Sequence, residues 1–240
     1  MSEIIKENEV LLDHMNELRM RVIRILVFFM VTLVAVFMYV PEILDFVTLT
    51  SKVDVQLNAF NITDPLLLHV KLASIVAVIV TFPYMIFELW MFISPALDRE
   101  EKKYIYKYIP LVCILFFGGV AFAYFIMMPY YVMFSQKLAG NIDLKLVMGA
   151  SKYIDFLSGM LLSFGLVFQL PVLVFILSYI GIISSKLLCW IRKYAYFAML
   201  ITAAFLTPPD PVSMGITMIP LVLLYELSIR LCKLNEKKKN

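Results

Sequence analysis

Two polar segments of the sequence carry carboxylates that could bind a cationic ligand. In FELWMFISPALDREEKK (Phe87–Lys103), the acids Asp98, Glu100 and Glu101 stand among three bases. A loop that only orients a membrane protein needs the bases alone, so these acids require a separate explanation. A carboxylate accepts both hydrogen bonds of a guanidinium fork, and two carboxylates would suit two arginines.

The second carboxylate is Glu17, in the N-terminal segment with Arg19 and Arg21. Apolar residues recur at helical spacing from Leu11 to Val22, which predicts an amphipathic interfacial helix that runs into the first membrane span. Glu17 and Arg21 stand four residues apart, so they could simply pair with each other. The alternative is that Glu17 and Glu101 together face a basic ligand, with Asp98 and Glu100 solvated.

Catalytic and metal chemistry has little support in the sequence. The two histidines, His14 and His69, are predicted on opposite membrane faces without a second ligand at metal spacing. The three cysteines are odd in number, and no serine–histidine pairing or phosphate-binding glycine loop is present. We therefore expect no enzyme, no catalytic residue, no metal, no cofactor and no nucleic-acid partner.

Among the polar residues inside predicted spans, where polar groups are costly, three are candidates for a function. Glu88 and Glu226 stand about one turn from the cytoplasmic ends of their spans, where they could be interface anchors or functional groups. Gln169 stands mid-span, two residues before the kinking Pro171. It could make an interhelical hydrogen bond to a carbonyl freed by a kink, or form a polar station where something binds or passes.

Composition identifies the elements that must position these residues as membrane helices. The chain has 240 residues, of which 62% are hydrophobic and 16% charged, and its mean hydropathy is +0.89, well beyond soluble domains. The sequence predicts an all-α membrane protein in one domain, 1–240: an amphipathic helix (1–21), a six-span core (22–230) and a basic tail (231–240). The predicted spans are Val22–Tyr39, Leu66–Phe92, Tyr104–Met128, Tyr153–Ile180, Tyr194–Leu206 and Val212–Ile229.

Basic residues predict the orientation of these spans. Sixteen of the 21 lysines and arginines fall in the termini and the loops on the same side as them. The positive-inside bias therefore places both termini in the cytoplasm.

The last two spans are predicted to be short. Tyr194–Leu206 would extend roughly 20 Å, against a hydrocarbon core of about 30 Å, and the connection Thr207–Pro211 leaves almost no loop. Together with the kinks, this favours a concave, glove-like bundle in a locally thinned bilayer. The alternative is that these helices extend beyond the predicted ends.

Four segments resemble one family in chain order. HMNELRMR (His14–Arg21) is similar to the N-terminal motif of the TatC family, the receptor subunit of the twin-arginine protein translocase. Phe87–Lys103 is similar to its first cytoplasmic loop, FGLVFQLPVLVFIL (Phe164–Leu177) to its fourth helix, and LTPPDPVSMGITMIPLVLLYELS (Leu206–Ser228) to its last hairpin.

The resemblance implies a six-helix receptor that binds the twin-arginine signal peptides of folded cargo and assembles with single-span Tat partners and further copies in a larger complex, using the protonmotive force. It implies that Glu17 and Glu101 contact the arginine pair, and that Arg19, Phe92 and Pro95 belong to the same surface. The last hairpin adds three motif residues: Pro209, Asp210 and Glu226.

Membership would place the chain in the bacterial cytoplasmic membrane, or alternatively in a plastid thylakoid. Many members of the family have a glutamate at the position of Gln169. A role for this position that requires a protonatable side chain therefore cannot apply unchanged to this chain. Outside this family, the competing interpretation is a secondary transporter of a small solute, although no charged residue near the midplane supports it.

Overall fold

Long apolar helices form most of the protein in the computed structural model. The structure describes residues 2–50, 57–93, 99–143, 147–179, 181, 183–206 and 211–239, and only the backbone of residues 2–11, 13, 49–50, 99–108, 206, 235 and 237–239. The helices are α1 (Ser2–Phe37), α2 (Val40–Thr50), α3 (Asp64–Ile93), α4 (Arg99–Phe122), α5 (Met128–Gly140), α6 (Ala150–Val167), α7 (Leu170–Tyr179), α8 (Ser185–Leu206) and α9 (Pro211–Lys239).

Six stretches of the described residues are long and apolar enough to cross a membrane, which confirms the six-span prediction. A π-helical turn, Ala123–Met127, joins α4 to α5 without interrupting the third stretch. The cytoplasmic position of the termini and the glove-like shape stay predictions. The stretches are His14–Phe37, Asp64–Ile93, Ile109–Gly140, Ala150–Tyr179, Ser185–Phe205 and Pro211–Leu234.

The last two helices extend beyond the ends predicted for them, which is the alternative that the sequence left open. Helix α8 has 22 residues and α9 has 29, because polar residues outside the apolar runs continue both helices. The 22 residues of α8 extend about 33 Å at 1.5 Å per residue, enough to span the hydrocarbon core. The predicted tail, residues 231–240, likewise begins inside α9, which continues to Lys239.

The chain divides into two compact units, and the single domain 1–240 stays a prediction. The first unit comprises Met1–Leu44 and Leu66–Ile109, and the second comprises Asp45–Pro65 and Pro110–Asn240.

In the first unit, α1 runs antiparallel to α3, and aromatic side chains join them. The ring centroids of Phe28 and Tyr84 are 4.8 Å apart, and those of Phe37 and His69 are 5.9 Å apart. Aromatic pairs at such separations are worth about 0.5–1.5 kcal/mol beyond their buried area.

In the second unit, α7 and α8 pack on α9. Two loop segments, β1 (Leu57–Asn58) and β2 (Met148–Gly149), also pair there as a short parallel ladder. The buried cluster between α8 and α9 consists of Leu188, Met199, Ala203, Leu221, Tyr225, Ile229 and Cys232.

The start of α8 is capped by residues from two parts of the chain. The Ser184 hydroxyl accepts a hydrogen bond from the Leu187 N–H at 3.2 Å, the geometry of a helix N-cap. From the far end of α9, the Glu236 carboxylate accepts the Ser185 N–H at 2.7 Å and the Ser185 hydroxyl. These hydrogen bonds to the charged form lower the pKa of Glu236 from its ordinary 4.5.

This cap predicts a pH-dependent loss of stability. At pH about 7, Glu236→Gln should lower the free energy of unfolding by about 1 kcal/mol, the size of a helix-cap contact. Because the pKa is lowered on folding, the stabilisation is complete above 4.5 and is lost as the pH falls through the lowered value. Thermal unfolding in detergent micelles should show the two proteins converging below that pH. A difference in stability between wild type and Glu236→Gln that stays constant with pH would contradict the role of Glu236 as a cap. The same would follow if Glu42→Gln, at an exposed acid, showed the same pH-dependent convergence with wild type.

Close packing of α4 on α6 depends on the absence of a side chain at Gly119. A Cβ atom there would lie 2.6 Å from the Phe164 carbonyl oxygen, whereas one at the neighbouring Gly118 would meet nothing within 4 Å. Gly119 is therefore required where two backbones approach, and Gly118 is not.

The two glycines predict opposite effects of the same substitution. Gly119→Ala should destabilise the protein by about 1–3 kcal/mol, because backbone atoms must move apart. Gly118→Ala should be neutral or stabilise by up to about 1 kcal/mol, because alanine is the better helix former. The midpoint of thermal unfolding measures both, and equal shifts in one direction would contradict the packing argument.

Candidate functional site

Glu17 lies on α1, where helical spacing brings it next to Arg21. The Nε and Nη2 atoms of Arg21 lie 3.1 and 2.5 Å from Glu17 Oε1. Glu17 Oε2 lies 3.9 Å from His14 Nδ1, and 35% of the Glu17 side chain is exposed. The intrahelical pair expected from the sequence is therefore formed, and it engages one of the two carboxylate oxygens.

Glu88, on α3, is the buried acid that also binds Arg21. Its side chain is only 4% exposed. Oε2 accepts a hydrogen bond from Arg21 Nη1 at 2.9 Å, and Oε1 accepts from Tyr84 Oη at 2.7 Å and Arg24 Nη1 at 3.4 Å. We call Glu17, Arg21, Arg24, Tyr84 and Glu88 the Glu88 cluster. It balances two carboxylates against two guanidinium groups, as a charge in apolar surroundings requires.

His14, which lies next to Glu17 of the Glu88 cluster, stacks on Phe92. The rings of His14 and Phe92 stack at 4.2 Å between centroids, with 16° between their planes. Arg19 is exposed on α1, beyond the cluster. The structure thus brings Glu17 and Phe92 to the same end of the α1–α3 pair, with His14 in contact with both.

The other predicted residues of this surface are described in part. Pro95 lies outside the described residues. The backbone of Glu101 is in the first turn of α4, where a negative charge is favoured by the helix dipole, and its side chain lies outside the described part of the chain.

Gln169 lies where the fourth span breaks between α6 and α7. Its backbone N–H bonds three residues back, to Leu166 O at 3.0 Å, which leaves the Gly165 carbonyl without its usual helical partner. The Gln169 side chain donates to that carbonyl through Nε2 at 3.4 Å. The hydrogen bond to a freed carbonyl therefore exists, but within the span rather than between helices. Gln169 is 7% exposed, and its Oε1 has no hydrogen-bond partner in the described part of the chain.

Pro171 is buried and is the second residue of α7, directly after this break. Its ring nitrogen cannot donate to the preceding turn, which suits a position where the helix restarts. The residues of the break therefore leave a buried amide oxygen beside a rigid turn.

Glu226 joins α9 to α8 within the second unit. It accepts hydrogen bonds from Tyr196 Oη at 2.5 Å and from Arg192 Nη2 at 3.1 Å. Its side chain is 29% exposed, so this pair is less buried than Glu88. Pro209 and Asp210 lie outside the described residues.

Comparison with known proteins identifies the family. Residues 13–220 match the family model described as Sec-independent protein translocase protein (TatC). The chain belongs to the TatC family. It is 40% identical to the Sec-independent protein translocase protein TatC of Halalkalibacterium halodurans, over 95% of this chain and 90% of that protein. It is 37% identical to TatCy of Bacillus subtilis over the same shares.

Two solved structures of TatC share the fold. One crystal structure of the twin-arginine translocase receptor TatC superposes with a TM-score of 0.78 and 31% identity, covering 93% of this chain and 99% of that one. A second crystal structure of the twin-arginine translocase receptor TatC, in DDM, superposes with a TM-score of 0.82 and 28% identity, covering 91% of this chain and 98% of that one.

TatC membership confirms several predictions from the sequence. The chain is a multi-pass membrane protein of the Tat translocase and a non-enzymatic component of protein transport. The transporter alternative finds no support among these relatives. Sequence reasoning missed the central position of Glu88. Tyr84 stands one helical turn away on the same helix, but Arg21 and Arg24 belong to α1, which is far from Glu88 in the sequence.

The Glu88 cluster predicts a large cost for neutralising its centre. Glu88→Gln should lower the free energy of unfolding by about 3 kcal/mol, because two guanidinium groups lose a buried counter-charge. Tyr84→Phe removes a single hydrogen bond to the same carboxylate and should cost about 1 kcal/mol. Thermal unfolding in micelles compares them, and equal losses would show that the charge of Glu88 is unimportant.

Proposed function

We propose that this chain is the receptor subunit of a twin-arginine translocase and binds twin-arginine signal peptides of folded proteins on the cytoplasmic face. The observation that carries the proposal is the position of Glu17, a partly exposed carboxylate at one end of the α1–α3 pair that already holds a guanidinium group through Oε1. A site that accepts one arginine side chain has the chemistry to accept another.

The proposed site contains Glu17, Arg19, Phe92, Pro95 and Glu101. Glu17 and Glu101 would each accept the hydrogen bonds of one signal-peptide arginine. Phe92, held by its stacking on His14, would supply an apolar wall next to Glu17. Arg19 and Pro95 would form the rim of this surface, and Arg19 would disfavour cations that bring no compensating hydrogen bonds.

Electrostatics alone would give a weak complex. Charge-assisted hydrogen bonds contribute about 1.5–3 kcal/mol each, so a two-carboxylate site predicts a dissociation constant of roughly 10 μM to millimolar. The apolar segment of the signal peptide would therefore have to bury against the membrane-embedded surface as well. We infer a two-part site, with the carboxylates for specificity and apolar burial for affinity.

The intramembrane polar residues would serve assembly rather than peptide recognition. Gln169 beside Pro171 would be the contact for a single-span Tat partner subunit, whose donor would reach the buried Oε1 when the helix break opens. A glutamine can fill this role as a hydrogen-bonding contact without a proton to exchange. The last-hairpin residues Pro209, Asp210 and Glu226 would support the same assembly, which would include further copies of the receptor and would use the protonmotive force.

The relatives described above are bacterial, which supports the bacterial cytoplasmic membrane as the location. The excess of basic residues in the termini and the loops on their side supports a cytoplasmic position for both termini. With that orientation, the Glu88 cluster would lie near the cytoplasmic surface.

Two adjacent glutamates provide the test of the site. Glu101→Gln should weaken the binding of a twin-arginine peptide at least tenfold, because a charge-assisted contact is lost. Glu100→Gln removes the same charge one position earlier and should change binding less than about twofold, the size of a surface electrostatic effect.

Binding is measured by crosslinking or fluorescence with the full chain in nanodiscs, using twin-arginine and twin-lysine forms of one peptide. Equal losses for the two glutamine variants would place recognition elsewhere. Equal binding of the two peptides to the wild type would contradict the receptor function itself.

A further inference from the structure

We propose that Arg21 is an internal competitor for the signal-peptide site: its guanidinium group occupies Glu17 in the free receptor and is retained by Glu88 when a peptide arginine takes Glu17. The inference rests on the proposed function. It assigns to Arg21 a role in selecting the ligand, although Arg21 would not be a binding residue for it.

The geometry places one guanidinium group between two carboxylates of unequal burial. Arg21 directs Nε and Nη2 to Glu17 Oε1 and Nη1 to Glu88 Oε2. The exposed fraction falls from 35% for Glu17 to 11% for Arg21 and 4% for Glu88. A ligand that arrives from outside would therefore meet Glu17 first, and Arg21 would stand directly behind it.

Glu17 and Glu88 differ in the contacts that remain to each of them when Arg21 dissociates from Glu17. Glu88 would still hold Arg21 and would retain Arg24 and Tyr84. Among the described residues, the other ionisable neighbour of Glu17 is His14, at 3.9 Å. Release of Arg21 from Glu17 therefore leaves no buried charge uncompensated, and the opening costs only the outer contact.

This exchange would discriminate between arginine and lysine. A peptide arginine can replace the contacts of Arg21 with the same planar fork of N–H donors, so the exchange is nearly balanced. A lysine ammonium is a point charge and cannot reproduce two N–H contacts at fixed spacing. An internal arginine thus sets the reference that an incoming side chain has to match.

Competition of this kind lowers the apparent affinity by the fraction of receptors in which Glu17 is available. For a partly exposed intrahelical pair, that reduction is about 2- to 10-fold. Removing the competitor should recover it. A residue that only positions Glu17 would have the opposite effect when removed, so the sign of the change decides between the two roles.

The experiment measures the dissociation constant of a twin-arginine peptide for Arg21→Gln and Arg24→Gln, with the full-length protein in nanodiscs. Both variants lose one positive charge from α1, one turn apart. Arg24 contacts Glu88 at 3.4 Å, and no contact to Glu17 is described for it, so it reports the general effect of charge on a cationic peptide. Arg21→Gln should bind about 2- to 10-fold tighter than Arg24→Gln and should lose part of the preference over a twin-lysine peptide.

A second variant tests the anchor. Glu88→Gln weakens the inner contact and leaves Arg21 on Glu17, so peptide binding should weaken by about 2- to 10-fold. In the double variant with Arg21→Gln, this loss should disappear, because no competitor remains. If Glu88→Gln does not fold, the comparison of the two arginine variants still decides.

The outcomes separate this inference from the function beneath it. Wild-type protein that binds twin-arginine and twin-lysine peptides equally would overturn the proposed function. Wild-type protein that prefers twin arginine, together with an Arg21→Gln variant that binds no tighter than Arg24→Gln, would overturn the competitor role and leave the receptor function standing.

Discussion

The ion pairs of Glu88 are the interaction on which the first unit depends. Within the candidate span of α1, only 6% of the residues are buried inside the protein, so little packing holds this helix. Its attachment to α3 includes side-chain contacts spaced along both helices, and two of them are ion pairs that end on one buried carboxylate. A charge buried in apolar surroundings has to be paired, and Glu88 can be paired only while α1 stays in register with α3. The register of α1 in turn sets where Glu17 and His14 lie.

The same constraint shapes the second unit with weaker groups. Tyr131 and Thr217 share a buried hydrogen bond between α5 and α9, and Glu226 joins α9 to α8. Gln169 satisfies a backbone carbonyl that the helix break has freed. In each case, the polar side chain takes a partner supplied by a neighbouring turn or helix, as groups excluded from water must. Gln169 Oε1 is the notable exception among these groups, and the proposed assembly contact follows from it.

Sequence patterns predicted more of the fold than of the candidate site. Six apolar runs were enough to predict the spans, and the spacing of Glu17 and Arg21 offered their pairing as one of two alternatives, because both properties are local. The start of α8 also has a local signal, because Ser184 is an N-cap residue before a helical stretch, but the apolar run that predicted this span begins only at Tyr194. The two arginine partners of Glu88 could not be predicted in this way. They are separated from it by 64 and 67 positions, and no pattern within one helix specifies which helix lies opposite.

The break in the fourth span divides one membrane crossing between two sets of neighbours. Helix α6 packs mainly on the π-helical turn and the short β-ladder, whereas α7 packs mainly on α9. Distant substitutions without shared partners contribute to stability almost additively, and substitutions in contact do not. A harmful change in α7 is therefore open to compensation from α9, and one in α6 from the region around the π-helical turn. Although α6 and α7 belong to a single span, their sequences can therefore change independently of each other, each together with the residues that it packs against.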